Sequence, residues 1–164
     1  MGGVMSYRKI CLAVALQRYL DITPIAARLR ELALAIAGES GAALAVLSVE
    51  APVELLPEVE TMGEKLERFV EPILQSGLEV HSELREGRPS REIAAFVREV
   101  GGDLLVVGSH SKRSAIDVGV GSTASALLRE LDEVPVLMVR PTSDEQDLAE
   151  KLKIPRYPMV FPYG

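Results

Sequence analysis

One cysteine in 164 residues, Cys11, rules out an internal disulfide, and two histidines are too few to argue for a zinc site. Cys11 itself lies inside an apolar run and reads as a small buried hydrophobe. No apolar stretch approaches the roughly 20 residues that a membrane span requires, and no cleavable leader precedes the first strand-like run, so a cytosolic location is expected. Positive charge is also scarce: 18 Lys and Arg stand against 24 Asp and Glu, a formal net charge of −6. Without a basic cluster to follow a phosphate backbone, nucleic acid is a poor candidate partner, and the charge is better explained by solubility. Three catalytic or cofactor strings are missing as well. No Gly-x4-Gly-Lys-Ser/Thr loop is present, no Gly-x-Gly-x2-Gly follows the first strand, and no Gly-x-Ser-x-Gly elbow supports a hydrolase, even though His110 sits beside Ser109 and Ser111 with Asp117 nearby. No catalytic or metal-binding residue is assigned; Glu50, Glu54, Glu58 and Glu86 read as solvated loop acids near helix starts.

What remains is an alternation of apolar runs and helical patterns in a chain that is 48% hydrophobic, enough for one domain with a real core. Lys9 to Ala15 is apolar without alternation, as in a strand buried on both faces. Thr23-Pro24 then offers an N-cap and a first-turn proline, with Ile25, Leu29, Leu32, Ala33 and Ile36 at helical spacing up to Gly38 and Gly41. Ala42 to Val49 is a second strand, and Val59, Met62, Leu66, Phe69, Val70 and Ile73 trace a helix face that Gly77 stops. Leu78 to Leu84 alternates and reads as a strand near an edge. Pro89 opens a third helix with Ile93, Phe96, Val97 and Val100 on its inner face, Leu104 to Val107 is a fourth strand, and Ala124, Leu127, Leu128 and Leu131 form a short helix before a fifth strand, Val136 to Val139. Five strands alternating with four helices predict an α/β fold with a parallel sheet covered on both faces.

The stretch from Asp103 to Pro141 carries the functional signal. Val107-Gly108 leads through a polar loop to Gly119-Val120-Gly121-Ser122-Thr123 and a helix start. Glycine admits close approach of backbone amides, and first-turn amides carry partial positive charge, so a phosphate fits there. Lys112 and Arg113 stand in the same loop. The bland alternative is a glycine-bearing connection in which Ser122 or Thr123 caps a helix and nothing binds.

The spacing Gly108-x2-Ser111-x9-Gly121-Ser122 resembles the nucleotide-binding signature of the universal stress protein family, Gly-x2-Gly-x9-Gly-Ser/Thr, at three of its four marked positions. Lys9-Ile10-Cys11-Leu12-Ala13-Val14 is similar to that family's first strand, and Glu86 to Ile93 and Gly102 to His110 are similar to it in residue type and order. The resemblance spans Tyr7 to Pro141, taken as a single domain at residues 7–141, with 142–164 as a C-terminal extension docked on the domain or a partner subunit. It implies a three-layer doubly wound sandwich with strand order 3-2-1-4-5 and a site at the switch point between the first and fourth strands. The site it implies comprises Ala13, Val14, Ala15, Val49, Gly108, Ser109, Ser111, Lys112, Gly121, Ser122 and Thr123. The ligand would be ATP or AMP, with Mg²⁺ arriving on the phosphates rather than in a protein cage.

Two residues depart from the pattern. Ser111 replaces the second glycine, and Ala15 stands where nucleotide-binding members tend to carry an aspartate. Two functions therefore stay open: a dimeric signalling or regulatory module in stress response that binds an adenine nucleotide, hydrolysing it slowly at most, or a nucleotide-free interaction module of the same family. In either case the resemblance implies a homodimer through the fifth strand, at Val136, Leu137, Met138 and Val139, together with an unidentified protein partner. The tail, Ile154 to Tyr163, holds three prolines and three aromatics and is expected to dock as an extended piece.

Overall fold

A computed structural model of the chain describes residues 6–16, 21–50, 61–109 and 122–144. Nine elements follow in strict alternation: β1 (Lys9–Ala13), α1 (Pro24–Ser40), β2 (Ala43–Glu50), α2 (Met62–Gln75), β3 (Val80–Glu86), α3 (Pro89–Val100), β4 (Leu104–Gly108), α4 (Ser122–Glu130) and β5 (Val136–Val139). All strand pairs are parallel, and the order is β3-β2-β1-β4-β5. The fold class and the strand order are those expected, and the boundaries move by one to three residues. The tail from residue 145 onward, the segment of Val59 and the loop of residues 110–121 lie outside the described residues.

The heads of α1 and α2 are set by local chemistry. Thr23 accepts from Ala26 N at 3.2 Å and Pro24 occupies the first turn of α1, where its missing N–H costs nothing. Thr61 and Glu64 satisfy each other's backbone in a capping box at the head of α2, a device that the sequence reading passed over. α1 runs through Gly38 and stops at Gly41, whose φ of 68° is the left-handed cap that glycine adopts freely.

The sheet has two buried faces because β1, β2 and β4 alternate their side chains between two helix layers. Ile10, Leu12, Val14, Leu44, Val46, Leu104 and Val106 pack under α1 and α2 with Leu29, Leu66, Phe69 and Ile73. Cys11, Ala13, Ala45, Leu47, Leu105 and Val107 pack under α3 and α4 with Ile93, Phe96, Val97 and Leu127. Both layers are continuous apolar runs in sequence, as central parallel strands require. Leu128, expected on the inner face of α4, is instead 48% exposed; Leu127 and Leu131 fill that face. Among the described residues no helix is long and apolar enough to cross a membrane.

Candidate functional site

In a parallel sheet every crossover helix begins at the carboxyl edge, so the ends of β1 and β4 and the start of α4 converge on one rim. Ala13 lies beside Val107 in the β1–β4 register, with Leu47 on its other side. The chain leaves β1 toward β2 and leaves β4 toward β5, which opens the crevice between β1 and β4.

The β1 wall is held closely. Ala13 and Val14 are buried, and Val14 N donates to Leu47 O at 3.0 Å, one rung beyond the strand. Ala15 is exposed, and Leu16 returns its side chain to the core. Only a methyl faces outward at position 15, so any ligand contact there falls to the backbone. Val49 is buried at the end of β2 and packs with the α3 layer, which leaves its main chain as the group at the rim.

The β4 wall ends in Gly108 and Ser109. Gly108 is not among the glycines with positive φ, so its backbone conformation does not require glycine. A Cβ at this position would stand 3.3 Å from Leu29 Cδ1 and 3.8 Å from Val139 O, so glycine serves the close packing of α1 against β4. Ser109 is buried, and its amide donates to Val139 O at 2.9 Å, which ties the start of the loop to β5. α4 begins at Ser122, and Thr123 is half-buried in its first turn. The first-turn amides there form the positive end of a nine-residue helix. Ser111, Lys112 and Gly121 lie outside the described residues, as do Arg113, His110 and Asp117. Among the residues expected to bind ligand, the structure therefore brings Ala13, Val14, Ala15, Val49, Gly108, Ser109, Ser122 and Thr123 to one edge.

One charged group near this edge escaped the sequence reading. Lys65 in α2 is 3% exposed, and its ammonium donates to Leu16 O at 2.6 Å. The signal was present, since position 65 falls three residues after Met62 and four before Phe69, on the buried face. Close by, Arg68 Nη1 meets Asp21 Oδ1 at 2.9 Å and holds that carboxyl below the usual carboxylate range. Among the described residues no three His, Cys, Asp or Glu side chains are grouped to hold a metal.

An open parallel sheet with its crevice at the β1–β4 reversal places the protein among the doubly wound α/β folds, whose ligands bind beyond the strand ends. The model of the universal stress protein family matches residues 6–140, and the chain belongs to that family. A universal stress protein of Methanocaldococcus jannaschii is 30% identical over 101 residues, covering 60% of this chain and 59% of that one. The crystal structure of a universal stress protein from Archaeoglobus fulgidus superposes with a TM-score of 0.64 at 24% identity, over 83% of this chain and 45% of that one. The chain thus spans less than two thirds of either relative, 59% of the first and 45% of the second. A universal stress protein family protein from Arabidopsis thaliana, solved with AMP bound, superposes with a TM-score of 0.61 at 20% identity, over 84% of this chain and 94% of that one.

Proposed function

We propose that this chain binds an adenine nucleotide, ATP or AMP, across the β1–β4 crevice, and acts in the cytosol as a dimeric signalling or regulatory module of stress response. The observation that carries the reading is the convergence of Gly108 and Ser109, the exposed residue Ala15 and the first turn of α4 on one rim. Helix-start amides suit phosphate oxygens, the main chain at Val49 suits an adenine edge, and the rim between them suits a ribose. The AMP held by the Arabidopsis relative on the same fold supports this choice of ligand. Mg²⁺ would arrive with the phosphates. Turnover of ATP, which needs a group that positions the attacking water, is expected to be slow at most.

The exposed methyl of Ala15 favours a second reading, a nucleotide-free interaction module, because one side-chain contact to the nucleoside is missing. A lost hydrogen bond of about 0.5–1.5 kcal/mol weakens binding up to roughly tenfold and does not abolish it. Isothermal titration of ATP and of AMP with Mg²⁺, on the wild type and on Gly121→Val, separates the two. Binding that the valine variant loses supports the nucleotide reading. Absence of heat and of any thermal shift at saturating nucleotide overturns it in favour of the interaction module.

A further inference from the structure

Lys65 stands on the apolar face of α2 among Met62, Leu66, Phe69, Val70 and Ile73, where an aliphatic side chain would bury at far lower cost. Its stem fits that wall, but its ammonium needs an acceptor. It finds the Leu16 carbonyl at 2.6 Å, past the last described rung of the β1–β2 ladder. Three residues along the same helix, Arg68 reaches Asp21 Oδ1, which also accepts from Ile22 N at 2.7 Å. Among the described residues, α2 therefore grips the connection between β1 and α1 through buried Lys65 and exposed Arg68. The buried point is the stronger, because surface ion pairs such as Arg68 with Asp21 contribute little.

We propose that Lys65 is a positioning residue for the nucleotide site: by holding Leu16 O it fixes the path of the main chain at Ala15, the β1 wall of the crevice. The inference rests on the nucleotide reading above. Ala15 is held from both sides, by Val14 N on Leu47 O and by Lys65 on Leu16 O. Since its side chain offers only a methyl, whatever it gives a ligand comes from main-chain groups, and these are useful only when their direction is set before the ligand arrives.

The test uses the full chain as wild type, Lys65→Met and Lys65→Arg. AMP with Mg²⁺ is titrated calorimetrically, and amide hydrogen exchange is followed over residues 14–23, with β4 as reference. Lys65→Met keeps the stem and removes the donors. Its AMP affinity is expected to fall on the order of tenfold, with faster exchange at residues 14–16 and unchanged exchange in β4. A purely structural lysine would alter the melting temperature without altering affinity or local exchange well below it. Wild-type affinity in Lys65→Met overturns the positioning role and leaves the nucleotide reading intact, whereas failure of the wild type to bind overturns both. Should Lys65→Met not fold, Lys65→Arg decides, because its planar, bulkier head cannot reproduce the ammonium geometry. A loss of affinity of a few fold, with faster exchange at residues 14–16, supports the role, and unchanged affinity overturns it.

Discussion

A methyl group added at Gly102 would run into Cys11 Sγ and stand 3.3 Å from Val97 Cγ1, at a point where β1, α3 and β4 meet. Both neighbours are buried to about 1% exposure, so neither can swing away. Gly102→Ala is therefore expected to lower stability by about 1–3 kcal/mol, the range for overpacking a filled core, read as a reduced urea midpoint at unchanged slope. Cys11→Ala in the same chain makes room for the new methyl, and the pair should cost less than the sum of its parts. Burial, opposed by Lys9 and reinforced by Asp103, pushes the Cys11 thiol up to about 12, so the sulfur is a neutral thiol at pH 7. Gly101 and Gly102 stand side by side in the sequence, and either one could serve as a helix stopper. Only Gly101 is one, with a φ of 70°; Gly102 answers to Cys11, a contact between segments far apart in the chain that no local pattern encodes. Lys65 is the same lesson reversed, a charge whose acceptor is a main-chain carbonyl beyond another strand.

Elements were legible wherever one physical rule governs them. Proline and threonine mark the head of α1, apolar periodicity marks the faces of α2 and α3, and unbroken apolar runs mark β1, β2 and β4. β3 shows the limit of such reading. Its hydrophobic alternation starts at Leu78, but the strand starts at Val80, because alternation records which side chains meet the core and says nothing of which amides join the ladder. The α3-facing side of β3 is built from charge: Arg85 bonds Glu83, reaches Glu99 at 2.7 Å and lies 5.3 Å above the Phe96 ring, while His81 meets Glu83 at 3.3 Å. The hydrogen bond from Arg85, with a smaller one from His81, lowers the pKa of Glu83. A carboxyl lowered on folding adds stability above its unfolded pKa, roughly 4.3, and that contribution disappears as pH falls through the folded value. Arg85→Gln should therefore melt below wild type at pH 7, and the gap should narrow toward about pH 3, measured as paired melting curves across that range. A gap independent of pH would mean that Arg85 acts only through its packing on Phe96.

A five-stranded open sheet has two edges, and in this molecule they differ in kind. The β3 edge carries His81, Glu83 and Arg85, side chains that discourage pairing with another strand, whereas β5 presents Val136, Leu137, Met138 and Val139 with no charge among them. Leu137 is 36% exposed and the other three are half-buried, so the free side of β5 offers an uncharged edge for pairing. Which strand stands at which edge was not readable from periodicity; the order 3-2-1-4-5 came with the family resemblance, and the pairing of β4 with β5 bears it out. From this asymmetry a two-fold homodimer through β5 is proposed, in which the same strand meets its copy and covers its own apolar side chains. The decisive substitution is Leu137→Glu, because it places like charges opposite each other across a two-fold axis while leaving the core beneath β5 untouched. Light scattering coupled to size exclusion is expected to show a dimer for the wild type and a monomer for Leu137→Glu at the same concentration, with the far-ultraviolet spectrum unchanged. His81→Glu on the opposite edge should leave the dimer in place. A dimer that survives Leu137→Glu would move the interface elsewhere, and one lost in His81→Glu would move it to β3. A wild type that is already monomeric would overturn the homodimer and leave the apolar edge of β5 open to another protein.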